Sequence, residues 1–324
     1  MIYSTIYDYQ LRESPIDTGW SAHRNAITFM RTLSKRGYVI IDGTWLNEDD
    51  VELITNYIND RHLNDTILAM SLFDPINEPL YDIINSDDIE PDIQFISNYQ
   101  YTFWFHQCDR MFVDYTVSDL IPTGDDLEYQ YLCYQRKPTY GRPELYNRIN
   151  GKGYGIVTIG TEESNINVDI PEHIGLQEVA GDWGGKSPND IYSLGNLDVW
   201  KRSFLNIVSE TGQSQYEKEY VFVSEKMVKP ILGFRPFIVF GNPDINDLLV
   251  NLGFELFNED FHYNANSSLE DQIDGIDRLV NHLLPYLDIE QYYKKIFPKI
   301  EHNHNRFQDL IIEQNEYIEK LLIS

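Results

Sequence analysis

The chain alternates short apolar runs with longer amphipathic segments, which is the pattern of an α/β protein. In the C-terminal half, apolar and β-branched runs predict buried strands, and segments with helical spacing lie between them. The runs expected to form extended structure are Tyr129–Tyr134, Gly155–Ile159, Ser203–Val208, Tyr220–Val223, Pro236–Phe240 and Phe254–Phe257. The helical spacing predicts helices over Arg142–Ile149, Ser224–Leu232, Asp244–Leu252, Ser268–Leu284 and Asn305–Leu322.

The N-terminal third shows a similar alternation. Strands are predicted at Gly37–Ile41 and Ile93–Ser97, a helix is predicted over Asn47–Asp60, and Thr66–Phe73 is a continuous apolar run. The polar segment Thr116–Asp126 follows and contains Pro122, Gly124 and three aspartates, so it is the predicted domain boundary. We therefore expect an N-terminal α/β domain over 1–125, a second domain over 126–285 and a C-terminal helical segment over 286–324.

Composition and charge narrow the class of protein. The 324 residues are 42% hydrophobic and 24% charged, as in a folded globular protein. Twenty-five basic residues face 52 acidic ones, which gives a net charge of −27. This charge argues against a duplex nucleic-acid binder and against binding to an anionic membrane. No apolar run reaches the length of a membrane span, and acidic residues occupy the N-terminus, so we expect a cytoplasmic protein.

The residues that commonly bind metals are not arranged as metal sites. Cys108 and Cys133 are the two cysteines, and neither has zinc-ligand spacing. His302 and His304 are two positions apart, so they would face different sides of a helix, and we expect both to be solvated surface residues. The chain contains no Asp-x-Asp, the motif that metal-dependent sugar transferases normally carry. The sequence therefore predicts no metal site.

Two glycine-rich segments resemble nucleotide-binding motifs, but neither has the flanking strand and helix that such a motif requires. Ala180–Ser187 (AGDWGGKS) matches the loose pattern of a phosphate-binding loop, in which Lys186 would contact the phosphates. However, a polar segment precedes it and Pro188 follows it, whereas a phosphate loop joins a strand to a helix. A phosphate-loop enzyme that uses Lys186 therefore remains the alternative. Gly151–Gly155 follows a predicted helix and precedes a strand, so it indicates a helix-terminating turn.

The most informative region is Val199–Gly241. It contains an apolar strand at Phe204–Ser209, an acidic turn at Glu210–Gly212, and Tyr220 followed by Ser224-Glu225-Lys226 at a helix start. This succession resembles the donor-binding motif of the GT-B glycosyltransferases, most closely that of the α1,3-fucosyltransferase family. Thr211 and Gly212 replace the Asn-Ser of that family.

A second resemblance extends over about residues 128–324. Leu132-Cys133-Tyr134-Gln135-Arg136, Glu225–Pro230 and Gly253-Phe254 are similar to segments of phage- and virus-encoded glycosyltransferase-like proteins. Together, the two resemblances imply a GT-B fold, in which two Rossmann-like domains face a cleft and the last helix crosses back. They also imply that a nucleotide-sugar is the donor substrate and that no cofactor is needed.

Charge placement points to the same chemistry independently. Lys226 lies in the first turn of a predicted helix, where a cation and backbone amides can both bind a diphosphate. A carboxylate at Glu210 or Glu225 can accept hydrogen bonds from ribose hydroxyls. Ligands of open α/β sheets bind at strand ends, and the candidate residues near predicted strand ends are Arg136, Arg142, Arg202, Glu210, Ser224, Glu225 and Lys226.

The expected reaction is transfer of a sugar to an acceptor hydroxyl, without a metal and with inversion. Arg and Lys would stabilise the leaving diphosphate, and a carboxylate would act as general base. In the resembled family the base comes from the N-terminal domain, so Asp74 and Glu78 are the candidates and Asp109 is the reserve. The acceptor, a glycan or even a modified DNA, stays open. So does a catalytically inactive GT-B-like binding or structural protein.

Overall fold

The computed structural model describes residues 6–7, 39–42, 52, 55–56, 66–70, 94–96, 116–122, 127–135, 138, 141–160, 167–168, 194, 197–210 and 223–323. The chain divides into two compact units. The first comprises Met1–Arg110 together with Ile311–Ser324, and the second is Met111–Leu310. Within the described residues, no helix is both long enough and apolar enough to cross a membrane.

The first unit contains a four-stranded sheet. Its strands are β1 (Ile6–Tyr7), β2 (Val39–Asp42), β3 (Thr66–Met70) and β4 (Gln94–Ile96), in that spatial order. Strands β2, β3 and β4 are parallel, and β1 pairs antiparallel with β2. The predicted strands near 37–41 and 93–97 are confirmed within this sheet. The predicted helix over 47–60 falls mostly outside the described residues.

The second unit contains a five-stranded sheet. Its strands are β5 (Tyr129–Tyr134), β6 (Gly155–Gly160), β7 (Asn167–Val168), β8 (Ser203–Ser209) and β9 (Phe237–Phe240). The spatial order is β7-β6-β5-β8-β9, in which β7 is an antiparallel edge strand and the other four are parallel. Parallel neighbours need crossover connections, and the helices supply them. The result is a mixed α/β architecture that is compatible with a Rossmann-like fold.

The helices of the second unit include α1 (Val117–Leu120), α2 (Arg142–Ile149), α3 (Leu197–Lys201), α4 (Glu225–Leu232), α5 (Asp244–Asn251) and α6 (Leu269–Arg278). A π-helical turn (Leu279–Leu283) and a 3-10 turn (Leu284–Tyr286) follow α6, and α7 (Ile289–Ile323) ends the described chain. The predicted helices over 142–149 and 224–232 are confirmed, and Ser224 is the N-cap of α4. The helix predicted over 268–284 is α-helical only as far as Arg278.

The buried core of the second unit is rich in aromatic residues. Phe204 packs edge-on against Phe261 with ring centroids 5.9 Å apart, and Phe237 packs in the same way against Phe257 at 5.5 Å. All four side chains are at most 2% exposed. Buried aromatic pairs of this kind stabilise the fold beyond the area they remove from water. The central strands are buried on both faces, which explains why they are continuous apolar runs in the sequence.

The strand predicted at Phe254–Phe257 is wrong, because this segment is irregular. The side chain of Asn303 hydrogen-bonds to both the backbone N–H and the carbonyl of Glu255, the groups that would otherwise pair with a neighbouring strand. Asn303 Oδ1 accepts from the Glu255 N–H at 2.7 Å, and Asn303 Nδ2 donates to the Glu255 carbonyl at 2.8 Å. A buried side-chain amide from a distant helix therefore replaces a sheet ladder.

The last helix begins 16 residues before its predicted start at Asn305 and includes Pro298. Polar side chains along its first half bind backbone carbonyls elsewhere in the unit. The Tyr293 hydroxyl donates to Phe234, Lys299 Nζ donates to Leu256, and Arg306 Nε donates to Leu252. These tertiary contacts hold the helix through a residue that by itself would break it.

A buried arginine closes the amino-terminal edge of the sheet. Arg235, which is 2% exposed, donates hydrogen bonds to the carbonyls of Trp200, Leu120, Gly233 and Phe234. Burial lowers the pKa of this guanidinium to about 10. These carbonyls belong to α1, to α3 and to the residues that follow α4. One side chain therefore links three elements at the edge opposite the candidate site.

Candidate functional site at the carboxyl edge of the sheet

The strand order places a topological switch point between β5 and β8. Strand β5 leads through α2 to β6 on one side, and β8 leads through α4 to β9 on the other. Ligands of open α/β sheets bind at such a point, outside the carboxyl ends of the strands. The residues that follow the two central strands are Gln135 and Glu210, and α2 and α4 begin on this edge. The candidate site is therefore built from two strand ends and two helix starts.

Arg142 is the first residue of α2, and its guanidinium reaches across to the end of β8. Nε donates to the Ser209 hydroxyl at 3.1 Å, and Nη2 donates to the Ser209 carbonyl at 2.8 Å. Arg142 and Ser209 are 2% and 1% exposed. This buried charge-assisted contact fixes the start of α2 against the end of β8.

Glu210, Ser224 and Lys226 form a hydrogen-bonded chain at the start of α4. The Ser224 backbone N–H donates to Glu210 Oε1 at 3.0 Å, and the Ser224 hydroxyl donates to Oε2 at 2.6 Å. Lys226 Nζ then donates to Ser224 Oγ at 2.9 Å. The buried carboxylate thus holds the N-cap serine, and the serine holds the ammonium group. The amino-terminal end of a helix and a cation are brought together, as an anionic ligand requires.

Hydrogen bonds and close packing join the end of β9 and the start of α2 to α6 at this edge. The Gly241 N–H donates to Gln272 Oε1 at 3.1 Å, and Gln272 Nε2 returns a bond to the Gly241 carbonyl at 3.0 Å. Gly141, the N-cap of α2, has a φ of 75°. A Cβ at Gly141 would lie 2.6 Å from Leu269 Cδ2, so this position requires glycine.

Gln135 is a polar residue of this edge that the sequence did not identify as a site residue. It is 1% exposed, its Nε2 donates to Cys133 Sγ at 3.4 Å, and its Oε1 has no hydrogen-bond partner. The available signal was a glutamine that directly ends an apolar strand. Burial raises the pKa of the Cys133 thiol to about 12, so this cysteine stays protonated at neutral pH and is a poor nucleophile.

The structure does not bring Arg202 to this edge. Arg202 immediately precedes β8, at the opposite end of the strand from Glu210. Its guanidinium forms ion pairs with Glu128 and Asp198 and lies over the ring of Tyr129. These contacts occupy the side chain at the amino-terminal edge of the sheet, so Arg202 is not part of the group around Lys226.

Other predicted site residues lie outside the described parts of the chain. These are the general-base candidates Asp74, Glu78 and Asp109, the donor-site candidate Arg136, and Lys186 of the phosphate-loop alternative. Glu225 is described as the first residue of α4, without its side chain. Their roles therefore stay predictions.

Metal-binding side chains do not cluster within the part of the chain that the structure describes. No group of three or more His, Cys, Asp or Glu residues there could hold an ion. The two histidines of α7 make local contacts: His302 Nε2 lies 3.0 Å from the Gly253 carbonyl, and His304 stacks on Phe234 at 4.1 Å. The expectation that both are solvated surface residues is therefore wrong for His304.

A separate cavity of about 260 Å³ lies beside the residues that precede β5. It is mainly apolar, with Glu290 and Lys294 from α7 among its lining residues. None of the residues named above for the candidate site lines this cavity. The cavity and the candidate site are therefore separate features of the second unit.

Comparison of the chain with protein-family models, with curated proteins and with solved structures finds no match.

Proposed function

We propose that the protein is a metal-independent glycosyltransferase of the GT-B type, and that its second unit binds the nucleotide-sugar donor. One observation carries the proposal. At the switch point of a parallel sheet, Arg142, Glu210, Ser224 and Lys226 meet at the starts of two helices. The sequence predicts the same four residues as donor-binding candidates: Glu210, Ser224 and Lys226 from the resemblance, and Arg142 from its charge near a strand end.

Lys226 is the residue proposed to contact the diphosphate. Its ammonium group lies within the first turn of α4, where the helix dipole adds to its charge. As the bond to the transferred sugar breaks, the departing diphosphate gains negative charge. A fixed ammonium group and aligned backbone amides would stabilise that charge, which is the work that a metal ion does in other transferases.

Glu210 is proposed to position Lys226 rather than to bind the ribose. Both of its carboxylate oxygens accept hydrogen bonds from Ser224, and the side chain is 1% exposed. The contact to the ribose hydroxyls then falls to Glu225, the neighbouring carboxylate in the same motif. Arg142 acts in a similar indirect way, because it fixes the start of α2 against Ser209.

The acceptor and the general base are assigned to the first unit. Asp74 or Glu78 would take the proton of the acceptor hydroxyl while the sugar is transferred with inversion. An enzyme of this kind differs from an inactive GT-B-like binding protein in releasing the nucleoside diphosphate from its sugar donor. Donor hydrolysis in the absence of acceptor therefore separates the two possibilities.

A calorimetric screen tests the proposal. UDP, GDP, CDP, ADP and dTDP are titrated into the protein, and nucleotide-sugars of any base that binds are then assayed for release of the diphosphate. At a hundred times its Kd, a bound nucleotide should raise the free energy of unfolding by about 2.7 kcal/mol. Failure of every nucleotide to bind would overturn the proposal. Binding without release from any sugar donor would favour a binding protein.

A further inference from the structure

Gln135 has an unmade hydrogen bond at the candidate site. The side chain is 1% exposed, and its Oε1 has no partner. Its other polar groups are bonded, since Nε2 donates to Cys133 Sγ and the backbone N–H donates to Thr158 Oγ1 at 3.3 Å. A buried oxygen without a donor destabilises the folded chain, and native structures contain few such atoms. A ligand that supplies the missing donor would explain why this glutamine is tolerated there.

The strand alternation places Gln135 beside the first turn of α2. Tyr131 and Cys133 lie on one face of β5 because side chains alternate along a strand, and Gln135, directly after the strand, contacts Cys133 on that face. The Tyr131 hydroxyl donates to the carbonyls of Ile149 and Lys152, just at and beyond the end of α2. Cys133 is near enough to Arg142 for the guanidinium to oppose the rise in the thiol pKa. Strand and helix therefore run antiparallel, with Gln135 at the level of the helix start.

The start of α2 is a poor site for an anionic group, because Pro143 has no backbone N–H in its first turn and Glu144 adds a negative charge there. The start of α4 on the same edge is better suited, since Lys226 Nζ lies at its N-cap serine. Helix N-termini bind phosphate through their backbone amides and the positive end of the helix dipole. The unpartnered Gln135 oxygen, directly after β5, is a second, different observation at the same edge of the sheet, because it requires a hydrogen-bond donor. The two together fit a ligand that carries a donor group close to a phosphate.

We infer that Gln135 is a ligand-contacting residue, whose Oε1 accepts a hydrogen bond from a sugar hydroxyl of the nucleotide-sugar whose diphosphate is bound at the start of α4. The inference rests on the proposed function and adds a residue that binds a sugar hydroxyl of the donor. A hydroxyl is favoured over the edge of a base because the oxygen lies in an enclosed position, which suits a small group. The hydroxyl belongs either to the ribose or to the transferred sugar.

The matched pair Gln135→Met and Gln130→Met provides the test. Both glutamines are buried, but Gln135 directly follows β5 whereas Gln130 lies near its start, where Nε2 donates to the Leu284 carbonyl and Oε1 accepts from the Tyr154 N–H. Gln135→Met removes the unpartnered oxygen, so the unfolding midpoint should be unchanged or higher, while the Kd of the tightest nucleoside diphosphate or its sugar conjugate rises about five- to tenfold. Gln130→Met should lower the unfolding midpoint and leave the Kd unchanged.

The ligand series then assigns the hydroxyl. If it is on the ribose, the 2′- or 3′-deoxy nucleotide binds the native protein more weakly, and Gln135→Met causes no further loss with that analogue. If it is on the transferred sugar, the variant loses affinity for the nucleotide-sugar but not for the nucleoside diphosphate. Gln135→Glu is the second variant, because it keeps the shape and an acceptor but brings a negative charge next to the phosphate. It should weaken binding in a salt-dependent way.

The results that would overturn the inference are distinct from those that would overturn the proposed function. If the native protein binds a nucleotide and both Gln135 variants bind every ligand of the series equally well, Gln135 is structural and only the inference fails. If the native protein binds no nucleoside diphosphate and no nucleotide-sugar, the inference and the proposed function fail together.

Discussion

The guanidinium of Arg142 donates to both the hydroxyl and the carbonyl of Ser209, at 3.1 and 2.8 Å. The two residues are 67 positions apart, and the contact joins the helix after one central strand to the end of the other. This contact crosses the switch point where the proposed ligand binds. The position of α2 relative to the end of β8 therefore depends on the buried side chain of Arg142.

Replacing Arg142 should therefore lower stability. In Arg142→Met the Ser209 carbonyl loses a charged donor while it remains buried, so the free energy of unfolding should fall by about 2–3 kcal/mol. Urea denaturation measures the change. Arg148→Met on the same helix is the control, because its ion pair with Asp274 is 47% and 44% exposed and should contribute at most about 1 kcal/mol. Equal effects of the two substitutions would contradict the buried role of Arg142.

Lys226 should control binding of the diphosphate. Loss of one charge-assisted hydrogen bond of roughly 1.5–3 kcal/mol predicts that Lys226→Met raises the Kd of a nucleoside diphosphate tenfold or more. Lys229→Met is the matched control, since Lys229 lies in the last turn of the same helix. Calorimetry gives the Kd of the nucleoside diphosphate for both variants. An equal rise in both Kd values would mean that the loss of any positive charge on α4 weakens binding, whatever its position. Lys186→Ala should change little, and loss of binding in that variant would favour the phosphate-loop alternative.

The hydroxyl of Ser224 should matter for both stability and binding. Ser224→Ala removes the N-cap of α4 and a donor to the buried Glu210 carboxylate, so stability should fall by about 1–2 kcal/mol. The Kd of a nucleoside diphosphate should also rise, because Lys226 Nζ loses the atom that holds it. Ser224→Thr keeps the hydroxyl and should restore both properties. Restored stability without restored affinity would exclude the proposed positioning of Lys226.

Transfer or donor hydrolysis should continue in EDTA. The proposed mechanism assigns the stabilisation of the leaving diphosphate to Lys226 and the start of α4, and removing such a donor typically lowers turnover by ~10²–10³. Turnover is measured with and without the chelator, and then with added Mn²⁺ or Mg²⁺. Activity that vanishes on chelation and returns with Mn²⁺ would refute the metal-free mechanism and weaken the GT-B assignment.

Alkaline pH should destabilise the second unit through Cys133. Burial raises the thiol pKa from 9.0 to about 12, so the folded chain retains a proton that the unfolded chain loses. The associated stability is fully present below pH 9 and is lost as the pH rises from 9 towards 12. Burial of Tyr131 raises its pKa and acts in the same direction. In Cys133→Ala, the decline in the urea midpoint between pH 8.5 and 10.5 should be shallower, and parallel curves would contradict the assignment.

The sequence determined much of the local structure of the second unit. The apolar run at 129–134 and the amphipathic segment at 142–149 form a strand and a helix with those bounds, and Ser224 caps α4 as its neighbours suggest. These features depend on residues close together in the chain, since propensity, alternation and capping are local. The charge of Lys226 at a helix start is local in the same sense, and it was predicted.

Only the tertiary structure decided the partners. The order β7-β6-β5-β8-β9 sets which strand ends meet, so Arg142 reaches Ser209 and Arg202 lies at the opposite edge. Asn303 prevents a strand at Glu255, and side chains of α7 hold that helix through Pro298. Gln135 and Gln130 look alike in the sequence and are both buried, and only their hydrogen-bond partners in the folded chain distinguish them. Contacts between distant residues depend on how sheets and helices pack, and no local pattern along the chain specifies that packing.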